Sequence, residues 1–392
     1  MSDVKSLKLF IVSIFVAMIL VISPVISSLT NSVIIPNTGK ISSNNITARS
    51  GSPEDIQAAV NAMTAAGGGT VYIPEGDFSF VISGSIGVTV PGGVDIFGQG
   101  VGKTILRQPS DPLANSIMFY LDGSNNKPIR ISGIFFQGYV KTTEDYSPQA
   151  IEIDAVKDFR IDHCRFEDFS GHAVGAGGQY RGLVDHCDFD NPYKLTLSGT
   201  AWGYGIIVWG DEETWNNIDW YLGQYDGKYC IMYIEDCTFK RTRHAIAGNG
   251  GGFYIVRHCT FTDPDPYNFG QLDVHGGIGG GGIGGRGLEA YNNTIVGAEG
   301  YDASQAFWLR GGGGVVYNNT MQNIWYGVGL YSEDGQQQKC KLHDLWVWGN
   351  SMDRGTLINN AGGFTQNVDY FLYAKSGYTP YPYPHPLTLT TP

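Results

Sequence analysis

From about residue 150 to 350 the apolar positions recur in short alternating runs, the two-residue period of strands with one buried face. Ile151/Ile153, Ile206/Val208, Ile246/Gly248, Leu272/Val274, Phe307/Leu309 and Val328/Leu330 fall on the inward side. The residues between them fall outward: Glu152/Asp154, Ile207/Trp209, Ala247/Asn249, Asp273/His275, Trp308/Arg310 and Gly329/Tyr331. A second pattern precedes these runs. It reads Ile161-Asp-His-Cys164-Arg-Phe166, and returns at Val184–Phe189, Ile234–Phe239 and Val256–Phe261. With asparagine in the cysteine place it continues at Ala290–Ile295, Val316–Met321 and Val347–Met352. Cys164 and Cys187 are 23 residues apart, Cys237 and Cys259 22, and Asn293 and Asn319 26. A period near 23 with strand alternation predicts a solenoid of stacked parallel strands. Leucine-rich repeats share the period, but their leucine signature is absent.

The start of the chain reads differently. Lys5 and Lys8 precede an apolar run from Leu9 to Ile22, the pattern of a secretory signal. A cleaved signal and an uncleaved membrane anchor both fit residues 1–27, and either implies export to the exterior or cell surface. Residues 28–51 are rich in Ser, Asn and Thr and read as a linker. One domain is then expected over 52–392. It opens with a helix: Ser52-Pro53-Glu54-Asp55 is a capping-box-like start. Ile56, Ala59, Val60 and Met63 form its apolar stripe, suited to plugging the open end of the solenoid.

Composition narrows the reading. Of 392 residues 55 are glycine, aromatics reach 13%, and charged residues only 16%. That balance disfavours a helical bundle and suits a turn-rich β architecture. The net charge of −12 lacks the basic footprint of nucleic-acid or anionic-membrane binding. Nucleic acid is therefore not expected as a partner, membrane attachment is expected only through the N-terminal segment, and a monomer is expected. Cys164, Cys187, Cys237 and Cys259 share one column and read as stacked, buried small residues, although turns ~4.8 Å apart do not forbid a bridge. Cys230 and Cys340 lie off that column.

The repeat resembles the right-handed parallel β-helix of the pectate-lyase-like superfamily. The asparagine column looks like that superfamily's internal asparagine ladder, and Gly67–Gly76 looks like its opening strand. The resemblance implies an all-β fold over residues 52 to 387. It does not select an activity, because lyases, hydrolases, epimerases and non-catalytic proteins share the fold.

The outward column Trp209, Asn249, His275, Arg310, Tyr331, with Asp273 beside Trp308, holds the candidate chemistry. Two glycine- and aromatic-rich stretches flank it. Residues 210–229 carry Trp215, Trp220, Tyr221 and Tyr225, and a glycine run follows from Gly276 to Gly285. Aromatic walls over a polar floor suit sugar rings. Hydrolysis needs paired carboxylates, and Asp273 has no carboxylate neighbour in the column. Calcium needs a carboxylate cluster that the columns do not supply, so no cofactor or metal is expected. Abstraction of the proton alpha to a uronate carboxylate needs a cation, a base and an acid. Arg310 suits the cation, His275 the base, Asp273 its orienting partner and Tyr331 the donor, so these four are the expected catalytic residues. Trp209, Asn249, Trp308, Arg243, His244, Trp215 and Trp220 are expected to bind substrate. Asp273-Val274-His275 with Arg310 on the next turn resembles the Asp-Pro-His strand and following arginine of mannuronan C5-epimerases. Valine replaces proline, and no acidic residue follows His275. The expected partner is therefore a uronate-containing polysaccharide, cleaved by elimination or epimerised. A glycoside hydrolase and a non-catalytic glycan-binding surface protein are the alternatives. Arg286 and Glu289 read as an ion pair away from the site.

Overall fold

The computed structural model describes residues 44–110, 115–139, 148–191, 203–210, 229–262, 270–277, 283–298, 304–333 and 340–389. The signal or anchor segment, Trp215 and Trp220 lie outside these. The described residues form three long parallel sheets of 12, ten and ten strands. Each strand pairs with its counterpart one turn later. The inward row Ile206, Ile246, Leu272, Phe307, Val328 is one continuous register, and every member is fully buried.

The repeated motif explains the turn. His163, His186, Asp236, His258, Asn292 and Asn318 hold φ between 51° and 57°. That left-handed conformation is one which Asn, Asp and His tolerate better than other side chains. The next residue points inward to a backbone carbonyl of the preceding turn. Asn293 Nδ2 donates to Val256 O (3.0 Å), Asn319 Nδ2 to Ala290 O (3.0 Å) and Asn350 Nδ2 to Val316 O (2.9 Å). Cysteine fills the same role more weakly: Cys187 Sγ lies 3.6 Å from Ile161 O and Cys259 Sγ 3.6 Å from Ile234 O. All six cysteines are buried free thiols. Two residues on, Phe136, Phe166, Phe189, Phe239 and Phe261 stack with ring centroids 4.6–5.3 Å apart.

A helix spans Pro53–Ala65, and its N-cap Ser52 accepts from the Asp55 amide. Its stripe of Ile56, Ala59, Val60 and Met63 is buried. Gln57 bonds both the N–H and the C=O of Thr89, in the terminal strand of a ten-stranded sheet. The expected linker boundary needs correction. Asn45–Thr47 is already a strand, paired with Gly69–Tyr72, and Ala48 is buried in the core. The ordered β structure therefore begins within the residues assigned to the linker. Its polar sequence disguised a half-buried terminal strand.

The C-terminal segment lies across the outer face of the 12-stranded sheet. Tyr378 Oη donates to Glu289, the Arg257 guanidinium bonds Tyr381 O and Pro382 O, and the His385 amide bonds Glu235. Glu289 is thus partnered by the tail, while Arg286 donates to Tyr229 O and Cys230 O; the expected Arg286–Glu289 pair is not formed.

Candidate functional site

The ten-stranded sheet containing Leu272–Val274 carries the outward column. Trp209 pairs with Asn249 in register, and the amides of His275, Arg310 and Tyr331 continue the ladder to Gly248, Val274 and Leu309. Alternation therefore brings Trp209, Asn249, His275, Arg310 and Tyr331 into one row. Asp273 sits one row back, between Ala247 and Trp308.

Asp273 is the centre of the site and is fully buried. Arg310 grips it bidentately: Nε lies 3.1 Å from Oδ1, and Nη2 bonds Oδ2. His275 Nε2 is 2.8 Å from the same Oδ2, and His244 Nε2 is 3.5 Å away. Burial alone would raise the Asp273 pKa, but Arg310, His275 and His244 outweigh it and hold the carboxyl well below its ordinary range. Burial opposes charge on Arg310 too, and Asp273 and Glu333 overcome it. Both ring nitrogens of His275 are buried, and neither meets hydrogen-bond geometry with a described residue; Nε2 makes a charge contact with Asp273, while Nδ1 has none. With Nε2 turned to the Asp273 carboxylate, Nδ1 is the nitrogen left for a base.

Four expectations change. Glu333 supplies the carboxylate neighbour that the columns lacked: its Oε1 lies 2.6 Å from Arg310 Nη1, and its Oε2 accepts from the Gly276 amide at 3.1 Å. Arg310 is thus held between two acids rather than presented alone to a substrate. His244 does not line the groove. It is 1% exposed, its Nδ1 lies 2.5 Å from Gly270 O, and burial lowers its pKa to about 3. It is a neutral support behind Asp273. Tyr331 is not poised as a donor, because its hydroxyl donates to Gln305 Oε1 (2.7 Å) and accepts from Asn359 (2.9 Å). Gly329 permits that crossing, since a Cβ there would collide with both Gln305 and Tyr331.

Of the binding candidates, Trp308 forms the wall beside Arg310, with the guanidinium 5.2 Å from its ring and Tyr331 edge-on at 5.5 Å. Trp209 stands edge-on to His172 at 5.5 Å, on the preceding turn. Arg243 lies over Tyr204 at 5.7 Å, and Asn249 caps its own turn by accepting from the Gly250 amide. Among the described residues no group of three or more His, Cys, Asp or Glu is arranged to hold a metal ion.

No known sequence-family profile matches the chain. Solved structures decide the fold. An alginate lyase from Paenibacillus sp. str. FPU-7 superposes with a TM-score of 0.52 at 16% identity, over 81% of this chain and 98% of that one. A tailspike protein of E. coli bacteriophage HK620 superposes at 0.56 and 14% identity, over 80% and 56%. The fold is the pectate-lyase-like, right-handed parallel β-helix. In sequence, this β-helix is similar to mannuronan C5-epimerases of Azotobacter vinelandii. AlgE4 is 31% identical over 135 residues, 33% of this chain and 21% of that protein. AlgE5 is 32% identical over 241 residues, 54% and 22%. The β-helix thus spans about a fifth of either relative's length.

Proposed function

We propose that this β-helix acts on a uronate-containing polysaccharide, removing the C5 proton of a uronate seated over Asp273, His275 and Arg310. The observation that carries this reading is the charge arrangement at His275. Its Nε2 faces an ionised, buried carboxylate, and its Nδ1 is left unengaged. Similarity to mannuronan C5-epimerases supports the substrate class.

The substrate carboxylate takes Arg310 Nη1 in place of Glu333, and charge withdrawal there acidifies C5–H. His275 Nδ1 accepts the proton, and Asp273 stabilises the imidazolium. In elimination the C5–H pair forms the C4–C5 double bond, the C4–O bond breaks, and the imidazolium returns its proton to the departing oxygen. Epimerisation needs a second donor on the opposite face, and Tyr331, bound to Gln305 and Asn359, is not set for it. Elimination therefore asks least of the residues present. Incubation with a panel of uronans, read by ultraviolet absorbance of the new double bond, tests this. Folded protein giving neither unsaturated ends nor C5 exchange on any uronan would overturn it and leave a glycan-binding role.

Glycoside hydrolysis is the second reading, favoured by Asp273 and Glu333 both grasping Arg310. Asp273, held ionised, cannot be the acid, so Glu333 would have to be. That reaction gives saturated reducing ends.

A further inference from the structure

Beyond Tyr331 lies a cleft of about 450 Å³, lined among the described residues by Ser332, Lys341, Leu342, His343, Phe364 and Asp369, with Gly362 and Gly363. Its walls are continuous with the candidate site. Ser332 follows Tyr331 directly, and the Gly362 amide bonds Leu330 O at 2.8 Å. On the other side the His343 amide bonds Gly312 O at 2.9 Å, two residues after Arg310. The cleft therefore lies one to two turns along the solenoid from Arg310, at steps of ~4.8 Å. That step is close to the advance of one pyranose in an extended chain.

Its chemistry is specific. Lys341 makes no hydrogen bond through its ammonium group and no ion pair among the described residues. Asp369 lines the same cleft, and its Oδ2 accepts from the Thr365 amide at 2.7 Å rather than from Lys341. Phe364 is half-buried against the core and lies over Gly362, where a Cβ would strike its ring. A second tie fixes that ring's backbone: Asn360 bonds both the N–H and the C=O of Phe364. An aromatic ring on a turn tied at both backbone groups, with an ammonium lining the same cleft, matches a sugar ring bearing a carboxylate.

We infer that this cleft is a distal subsite for a second uronate of the same polysaccharide, its carboxylate on Lys341 and its ring on Phe364. The inference rests on the uronate reading of the candidate site. It also answers the global charge: a protein of net charge −12 needs local cations to hold a polyanion.

The test is calorimetric binding of oligogalacturonates and oligomannuronates of graded length to the full chain, with matched neutral oligosaccharides. Lys341→Ala should weaken long oligouronates about tenfold, leave short ones little changed, and be partly rescued by Lys341→Arg. Phe364→Leu should weaken the same long oligomers. Equal losses for short and long oligomers, no loss, or the same loss for neutral sugars would overturn the subsite. Lys341-dependent binding without turnover would instead overturn the catalytic reading alone. Turnover with no dependence on Lys341 would do the reverse.

Discussion

Two outer faces of the same solenoid each carry an arginine held by acidic partners, one buried and one half-buried, and the chain treats them differently. On the 12-stranded sheet, Arg257 is wholly enclosed; its donors go to Glu235, Tyr291 and two carbonyls of the C-terminal tail. On the groove sheet, Arg310 is bound by Asp273 and Glu333 but keeps 15% side-chain exposure. The first arginine fastens a strap. The second keeps its charge partly exposed, between Asp273, Glu333 and the Trp308 ring. A guanidinium fixed by two acids yet partly exposed distinguishes a site from a clamp.

The comparison breaks most readily at Arg257. Arg257→Ala leaves Glu235 buried without its counter-charge, held only by the His385 amide, and should destabilise the fold by about 3–5 kcal/mol, read by chemical denaturation. Turnover by the protein that remains folded should persist. Arg310→Ala and His275→Ala should show the opposite: turnover falling by about 10²–10⁴-fold with a much smaller loss of stability. If Arg310→Ala lost activity only in proportion to unfolding, the two faces would not differ in kind.

Glu333→Gln sharpens the contrast further. Removing the competing charge on Arg310 should lower KM for uronates, by about tenfold at most, without loss of kcat. The hydrolytic reading predicts that kcat collapses in the same variant.

A smaller effect comes from His244. Its folded pKa, about 3, lies below the 6.5 of an unperturbed histidine. Between these values the unfolded chain binds a proton that the native chain does not, so stability is complete above pH 6.5 and declines as pH falls toward 3. The contribution is about 1.4 kcal/mol per pH unit. His385, in the tail itself and lowered to about 4 by burial, acts in the same direction. His244→Gln should flatten the dependence by one proton, measured by denaturation across that range.

What the sequence disclosed follows from where periodicity reaches. The row from Trp209 to Tyr331 was legible because strand alternation and register are fixed by burial of Ile206, Leu272 and Phe307 on the opposite face. Glu333 was not, because it lies three residues past the strand Tyr326–Leu330, where no alternation assigns direction. His244 lies just before Ile246–Asn249, at a corner where alternation fails, so its outward placement did not hold. Tyr331 was placed correctly in its row. Its partner Gln305 stands at the start of a strand one turn back, a diagonal contact that a column-by-column reading does not register.

The central claim is that C5–H is broken over His275 and Arg310. It is tested most directly by running the reaction in deuterated water on a uronan panel and reading C5 by nuclear magnetic resonance. The account predicts C4–C5 unsaturated ends, or deuterium at C5, with the unaltered chain and neither with His275→Ala. Saturated reducing ends with protium retained at C5 would contradict it.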